Sequence, residues 1–326
     1  MKNFSRRHFL AAPLLLLPPA RYAAASGYPN RAIRIVVGFQ AGGTADVFAR
    51  IIAAKAAPIL GQAVIVDNKP GVGAILGADH VAKSAPDGYT LFLTFSEALI
   101  SNTALYKNLP YHPARDFSFI TMAATGPLVI VVNKNIPAQD LRELVSHAKS
   151  GVNINFGSWG QGSHGHLLAE ALNKKYGIKM EHVAYKGEAP VIQDLLGGQI
   201  DIAAGSIGNM APHIKSGALK AIGVIGLKVN PALPSVPTLA SQGATDISFT
   251  TLGWVGLVGP ARLPLEITSR LGEVMREVLA MPDVKSRLKV YGFETKFLAR
   301  DDFYKVWQRD LALWTKLITD AGVSLD

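Results

Sequence analysis

Three stretches of this 326-residue chain carry residue types at spacings that suggest chemistry. The first, Phe39-Gln40-Ala41-Gly42-Gly43-Thr44-Ala45-Asp46, follows the apolar run Ile33–Val37. A strand, a glycine turn and a helix start make an anion cradle, because glycine permits close backbone approach and first-turn N–H groups point outwards. The second, Gly157-Ser158-Trp159-Gly160-Gln161-Gly162-Ser163-His164, has a similar make-up and also lies between a strand and a helix start. The third, Ala204-Gly205-Ser206-Ile207-Gly208, is a relaxed form of the nucleophilic serine turn of hydrolases.

Enzyme chemistry fits these stretches poorly. Dinucleotide binding needs glycines spaced G-x-G-x-x-G, whereas Gly38, Gly42 and Gly43 are spaced otherwise and no Gly-Lys-Ser/Thr follows. Asp67 stands where a ribose-binding acid would, without the rest of the motif. The serine turn requires a histidine after both serine and acid, and the only later one, His213, falls on the next helix. His164, His166, Glu170 and His182 are zinc-ligand types. His164 and His166, however, are two apart at a helix entry, and loop or cap roles suit them better. The chain has no cysteine, which removes thiolate catalysis, disulfides and Cys-bound zinc. What remains is anion binding with neither cofactor nor metal.

The elements that must hold these loops alternate along the chain. Strands are expected at 33–37, 63–66 and 89–94, with helices at 44–60 and 75–84 between them. A second series has strands at 128–132, 153–157, 180–183, 200–203 and 219–224. Its helices are expected at 138–150, 166–176, 189–196 and 209–216. One late strand, 254–258, precedes helices at 265–280, 282–291 and 300–321. Alternation of this kind predicts parallel α/β sheets. Two series with a late strand predict two lobes, crossing over near residues 126 and 254, with a ligand cleft between them. Phe303, Trp307 and Trp314, at helical spacing, are expected in the core.

Residues 1–25 read as an export signal: Lys2, Arg6 and Arg7, then apolar residues 10–17, then Ala23-Ala24-Ala25. Ser5-Arg6-Arg7-His8-Phe9-Leu10 fits a twin-arginine signal, although paired arginines also occur in ordinary Sec signals. Without its four basic residues the formal charge falls from +9 to +5. That mild excess favours small anions and, with no basic run, excludes a nucleic-acid surface. No later segment is long and apolar enough to span a bilayer.

An ordered series of short motifs covers residues 28 to the C-terminus: Tyr28-Pro29-Asn30-Arg31, Gly42-Gly43-Thr44-Ala45-Asp46, Asp67-Asn68-Lys69-Pro70-Gly71 and Ser84-Ala85-Pro86-Asp87-Gly88-Tyr89-Thr90. Leu109-Pro110-Tyr111, His182-Val183-Ala184-Tyr185-Lys186-Gly187, Asp194-Leu195-Leu196-Gly197-Gly198-Gln199-Ile200-Asp201 and Pro234-Ser235-Val236-Pro237-Thr238 complete it. Through this series the chain resembles the periplasmic substrate-binding proteins of tripartite tricarboxylate transporters, the Bug receptors. The resemblance implies an α/β, two-lobed Venus-flytrap fold of type II-like form, each lobe a mostly parallel sheet flanked by helices. Lobe 1 would comprise residues 27–126 and 254–326, and lobe 2 residues 127–253.

The resemblance also implies a monomeric periplasmic receptor for a small carboxylate: a dicarboxylate, tricarboxylate, acidic amino acid or aromatic acid. Its partners would be integral-membrane transporter subunits. A sensor kinase as partner, or a periplasmic α/β enzyme, are the alternatives. The ligand-binding set carried onto this sequence is Phe39, Gly42, Gly43, Thr44, Asp46, Ser96, Ser158, Trp159, Gly162, Ser163, His164, Tyr185 and Ser206. Asp46 has two readings, ligand contact or support of its own loop. Glu97 is unusual, since a carboxylate at a cleft edge would repel a second ligand carboxylate. Gly38 and Ala41 stand where the family commonly has prolines, and Gly205-Ser206 where it often has an acid or a bulkier polar residue, which would widen the far pocket. Trp159 is large enough to wall that pocket or stack on an aromatic acid.

Overall fold

The structure, a computed structural model, describes residues 27–323. The export signal expected at 1–25 lies outside the described residues. The chain opens with β1 (Ile33–Val37), α1 (Thr44–Leu60), β2 (Val64–Asn68), α2 (Ile75–Ala82) and β3 (Thr90–Phe95). Three short helices follow, α3 (Ser96–Leu99), α4 (Ser101–Leu105) and α5 (Pro113–Asp116), and then β4 (Phe117–Gly126). The middle of the chain holds β5 (Leu128–Asn133), α6 (Leu141–Lys149), β6 (Asn155–Ser158), α7 (His164–Tyr176) and β7 (Glu181–Ala184). It continues through α8 (Glu188–Gly197), β8 (Ile202–Ser206), α9 (Ile207–Lys215), β9 (Leu219–Val224) and α10 (Ile247–Thr250). The final elements are β10 (Gly253–Pro260), α11 (Leu265–Ala280), α12 (Pro282–Val290), β11 (Glu294–Ala299) and α13 (Arg300–Ala321).

These strands form two sheets, ordered β11-β4-β10-β3-β1-β2 in lobe 1 and β7-β6-β8-β5-β9 in lobe 2. The chain passes from the first sheet to the second between β4 and β5, and returns through β10. Both sheets are mixed, which corrects the expectation of mostly parallel ones. β1 pairs in parallel with β2 and β3, whereas β10 runs antiparallel to β3 and β4, and β4 to β11. In lobe 2, β6 is parallel to β7 and β8, whereas β5 is antiparallel to β8 and β9. The reversal falls at the crossovers. β10 arrives from the other lobe without the crossover helix that would turn it parallel to β3.

Strand alternation splits each core into two layers. On β1, Ile33, Ile35 and Val37 face α1, α11 and α12, while Val36 faces the layer of Phe92, Trp254 and Phe303. On β5, Ile130 and Val132 pack with Phe156 and Leu168, and Val129 and Val131 with Leu195 and Met210. Phe303, Trp307 and Trp314 are buried, as their spacing predicts. Trp307 Nε1 donates to Leu99 O at 2.8 Å and Trp254 Nε1 to Asp310 Oδ2 at 3.1 Å, so these rings bury their area without stranding an N–H. Helix α13, which carries Phe303, Trp307 and Trp314, also reaches lobe 2, where Trp314 meets the His164 ring edge-on at 4.5 Å. Leu167 of α7 joins the same lobe 1 layer.

Candidate functional site

The loop between β1 and α1 is shaped by its own hydrogen bonds. The left-handed backbone of Gly42 (φ 82°) turns its N–H onto Asp46 Oδ2 at 2.9 Å. Arg50 Nε donates to the same oxygen at 2.9 Å, and Asp46 is 3% exposed. Burial raises the Asp46 pKa, but the Arg50 and Gly42 donors outweigh it and hold the carboxyl below its ordinary range. Asn68, at the end of β2, donates to Phe39 O at 3.1 Å and ties down the loop's other end. Phe39 itself lies against Phe95, ring centroids 5.7 Å apart. α1 then starts with Gly43 as N-cap and no side-chain cap. Its first-turn N–H groups have no partner within the helix and are offered outwards.

The loop between β6 and α7 is knitted more tightly. Ser158 is fully buried, and its Oγ accepts from Ser163 Oγ (3.0 Å), donates to Gly160 O (2.8 Å) and lies 2.7 Å from His182 Nε2. Ser163 caps α7, accepting from His166 N at 3.3 Å. Gly162 N donates to His166 Nδ1 at 2.9 Å, so that nitrogen is unprotonated. The His166 and His182 rings stack 3.7 Å apart, inclined by 11°. Both are lowered to about 4, His166 by burial and His182 by burial and then by His166 beside it. His164 is turned the other way, against Trp314, and burial takes it down to about 3. His164 therefore stands apart from the other zinc-type residues, of which His166 stacks on His182 and lies 3.6 Å from Glu170 Oε1. Among the described residues no group of three or more histidines and carboxylates is arranged to hold a metal ion.

Contacts across the lobe interface bring these loops together with two turns. Thr44 Oγ1 lies 3.1 Å from Ser206 Oγ, at the β8–α9 turn, and accepts from Asn209 Nδ2 at 3.1 Å. Trp159 Nε1 donates to Glu97 Oε2 at 3.1 Å, joining the lobe 2 loop to the β3–α3 turn of lobe 1. Burial pushes Glu97 up to about 7, against the Trp159 donor. A side chain on Gly253, the first residue of β10, would approach Ser96 Oγ (3.5 Å) from one lobe and His164 Nδ1 (4.0 Å) from the other.

Of the expected residues, Thr44, Ser96, Trp159, His164 and Ser206 thus meet at the interface. Asp46, Ser158, Gly162 and Ser163 spend the groups described above on the shape of their own loops. Tyr185 hydrogen-bonds Asp194 Oδ2 at 2.7 Å through its hydroxyl, raised to about 12 by burial and by Asp194. Asn102 is buried and committed to Gly73 O and the Tyr111 hydroxyl. The space expected beside Gly205 is filled, since a Cβ there would lie 2.3 Å from Met210 Cε and 2.7 Å from Glu188 Oε1.

Three participants were not apparent in the sequence. Glu188, at the start of α8, accepts from Ser206 N (2.5 Å), Ser206 Oγ (2.8 Å) and Asn209 Nδ2 (2.6 Å). Its burial raises the carboxyl pKa, opposed by those donors. Asn209 bridges Glu188 to Thr44, and Asn68 anchors the first loop. Asn68 lay inside a quoted motif; Glu188 and Asn209 had only their helix-start positions to mark them. Two surface depressions, one lined by Phe117, Arg300 and Tyr304 and one by Arg31, Ile65 and Asp87, include neither loop.

Two mixed α/β sheets joined by two crossovers, with helix starts meeting at their interface, define a two-lobed binding protein. Residues 48–323 match the model of the tripartite tricarboxylate transporter family receptors. A protein encoded in the tcbD-tcbE intergenic region of Pseudomonas sp. (strain P51) is 33% identical over 323 residues, 98% of this chain and 96% of that one. The solved periplasmic binding protein BugD is 32% identical, with a TM-score of 0.84 over 91% of this chain and 99% of its own. Rpa4515 of R. palustris, solved with adipate, is 29% identical, with a TM-score of 0.86 over 91% and 99%. MatC of Rhodopseudomonas palustris, solved with malate, is 29% identical, with a TM-score of 0.82 over 89% and 100%. The chain belongs to the tripartite tricarboxylate transporter receptor family, the Bug receptors, whose members are binding proteins and not enzymes.

Proposed function

We propose that this chain is an exported, periplasmic receptor that closes its lobes around a small carboxylate and delivers it to the membrane subunits of a tripartite tricarboxylate transporter. One observation carries the reading: the N-terminus of α1 has no side-chain cap and meets the β8–α9 turn across the interface, Thr44 to Ser206. A helix N-terminus favours an anion by about 0.3–1 kcal/mol when exposed and up to ~2 when partly buried. Gly43, Thr44, Ser96, Trp159, His164 and Ser206 would surround the ligand, with Phe39, Gly42 and Tyr185 at the margins. Asp46, Ser158, Gly162 and Ser163 would hold the two loops in shape. Adipate and malate in two relatives support a carboxylate as the ligand class. The lobes would be residues 27–126 with 254–326, and 127–253, hinged at the two crossovers.

A thermal-shift screen with mono-, di- and tricarboxylates, acidic amino acids and aromatic acids tests this function. At 100 times Kd, the bound carboxylate adds about 2.7 kcal/mol of apparent stability. A shift with sugars or cations and with no carboxylate would overturn it.

A further inference from the structure

We infer that Glu188 sets which carboxylates the cleft accepts, admitting a monocarboxylate whose far end is neutral or cationic and refusing a second carboxylate. The inference rests on the carboxylate-receptor reading and narrows its ligand class. Glu188 reaches from the first residue of α8 to the β8–α9 turn. Its Oε1 accepts the Ser206 N–H, and its Oε2 accepts the Ser206 hydroxyl and the Asn209 amide. These are the donors a helix start presents to an anion, and here the chain supplies the anion itself. Three donors aimed at the two oxygens stabilise the ionised form of the group against its burial.

The hydrogen-bond directions carry the charge towards α1. Ser206 gives its hydroxyl proton to Glu188, so the Thr44 hydroxyl donates to Ser206 Oγ. Asn209 donates to both Glu188 Oε2 and Thr44 Oγ1. Glu188 therefore stands one side chain away from the α1 N-terminus proposed to grip the ligand. Glu97 supplies a second carboxylate at the interface through Trp159. The Arg50 guanidinium of α1 is committed to Asp46 and Asn68. A dicarboxylate would add a further negative charge where screening by water is weak and the Ser206 and Asn209 donors are occupied. A hydroxyl, amide or ammonium end would find acceptors there.

The test compares diacids with their monoamides, which match in shape and differ by one charge: succinate with succinamate, glutarate with glutaramate, adipate with adipamate. Affinities are measured by calorimetry at pH 8, where Glu97 is ionised. The wild-type chain should bind the best monoamide at least tenfold more tightly than its diacid. Glu188→Gln keeps the side-chain volume and an acceptor for Ser206 N–H, and should bring the pair to parity or reverse it. A wild-type preference for the diacid, or a ratio that Glu188→Gln leaves unchanged, would overturn the role of Glu188 while leaving a carboxylate receptor. Binding of neither member of any pair, with thermal shifts by non-carboxylates, would overturn the carboxylate reading and this inference together.

Discussion

The residues with the clearest physical consequence are the stacked histidines beneath the second loop. Protonating His166 puts a proton on Nδ1, which removes the acceptor for Gly162 N–H and places a cation against His182. Both rings have depressed pKa values, so between pH 6.5 and about 4 the unfolded chain binds more protons than the folded one. Their stabilising contribution is complete above pH 6.5 and falls on acidification through that window. Glu97 acts with the opposite sign: raised to about 7, it favours the folded state at low pH and loses that contribution as pH rises from about 4.5 to 7. One proton of difference changes stability by about 1.4 kcal/mol per pH unit. Urea titrations from pH 4 to 7 should therefore show the acid loss weakened in His166→Gln, whose amide oxygen can still accept from Gly162, and steepened in Glu97→Gln. Equal slopes in all three proteins would contradict this account. At this scale the sequence was only partly legible. The types and spacing of Gly42, Gly43, Thr44 and the residues 157–164 marked both loops, but the roles of Glu188 and Asn209 depend on contacts between separate helices that no local pattern encodes. Asp46 is equally suited to ligand or loop by sequence, and the bonds of its Oδ2 to Gly42 and Arg50 favour the loop.

At the scale of elements, loop position depends on how closely the lobes approach. Gly162 has a left-handed backbone (φ 73°), and a Cβ there would lie 2.1 Å from Leu105 Cδ1, on α4 of the opposite lobe. Gly162→Ala should therefore strain the loop by roughly 1–2 kcal/mol and hold the lobes apart. Ligand affinity is expected to fall at least tenfold while each lobe stays folded. Leu105→Ala in the same chain, by making room, should recover part of that loss; calorimetric titration of single and double variants checks both. An unchanged affinity in Gly162→Ala would mean that this contact has no part in closure. Helices α1, α11 and α13 were legible to the residue, because their apolar periodicity is long and their ends are marked by Gly43, Pro264 and Gly322. β4 and β11 were not. β4 ends in the small residues Ala123, Ala124, Thr125 and Gly126, and β11 is a short edge strand whose first half, Glu294-Thr295-Lys296, is polar. Without those two strands the antiparallel half of the first sheet was invisible, and local alternation read as parallel throughout.

The whole molecule is a pair of lobes whose interface is part polar and part packed. Thr44 with Ser206 and Trp159 with Glu97 close one side, while α13 against α7 and the crossovers hold the other. In the proposed function closure is a hinge motion, so a ligand would favour it only by binding the closed form better than the open one. The helix starts and the hydroxyls between them would provide that difference, since Thr44 and Ser206 come together across the lobe interface. Two lobes and two crossovers were readable from the rhythm of the chain; which side chains touch across the interface was not. The most direct measurement is calorimetric titration of the wild-type chain and of Gly43→Val with the carboxylate that gives the largest thermal shift. Gly43 (φ −76°) can carry a side chain without backbone strain, and its Cβ would meet only Gln40 O, at 3.3 Å. The account predicts one-to-one binding by the wild type and a loss of at least a hundredfold in Gly43→Val, with the melting temperature of the free protein little changed. Equal affinity in the two proteins would place the ligand elsewhere and contradict it.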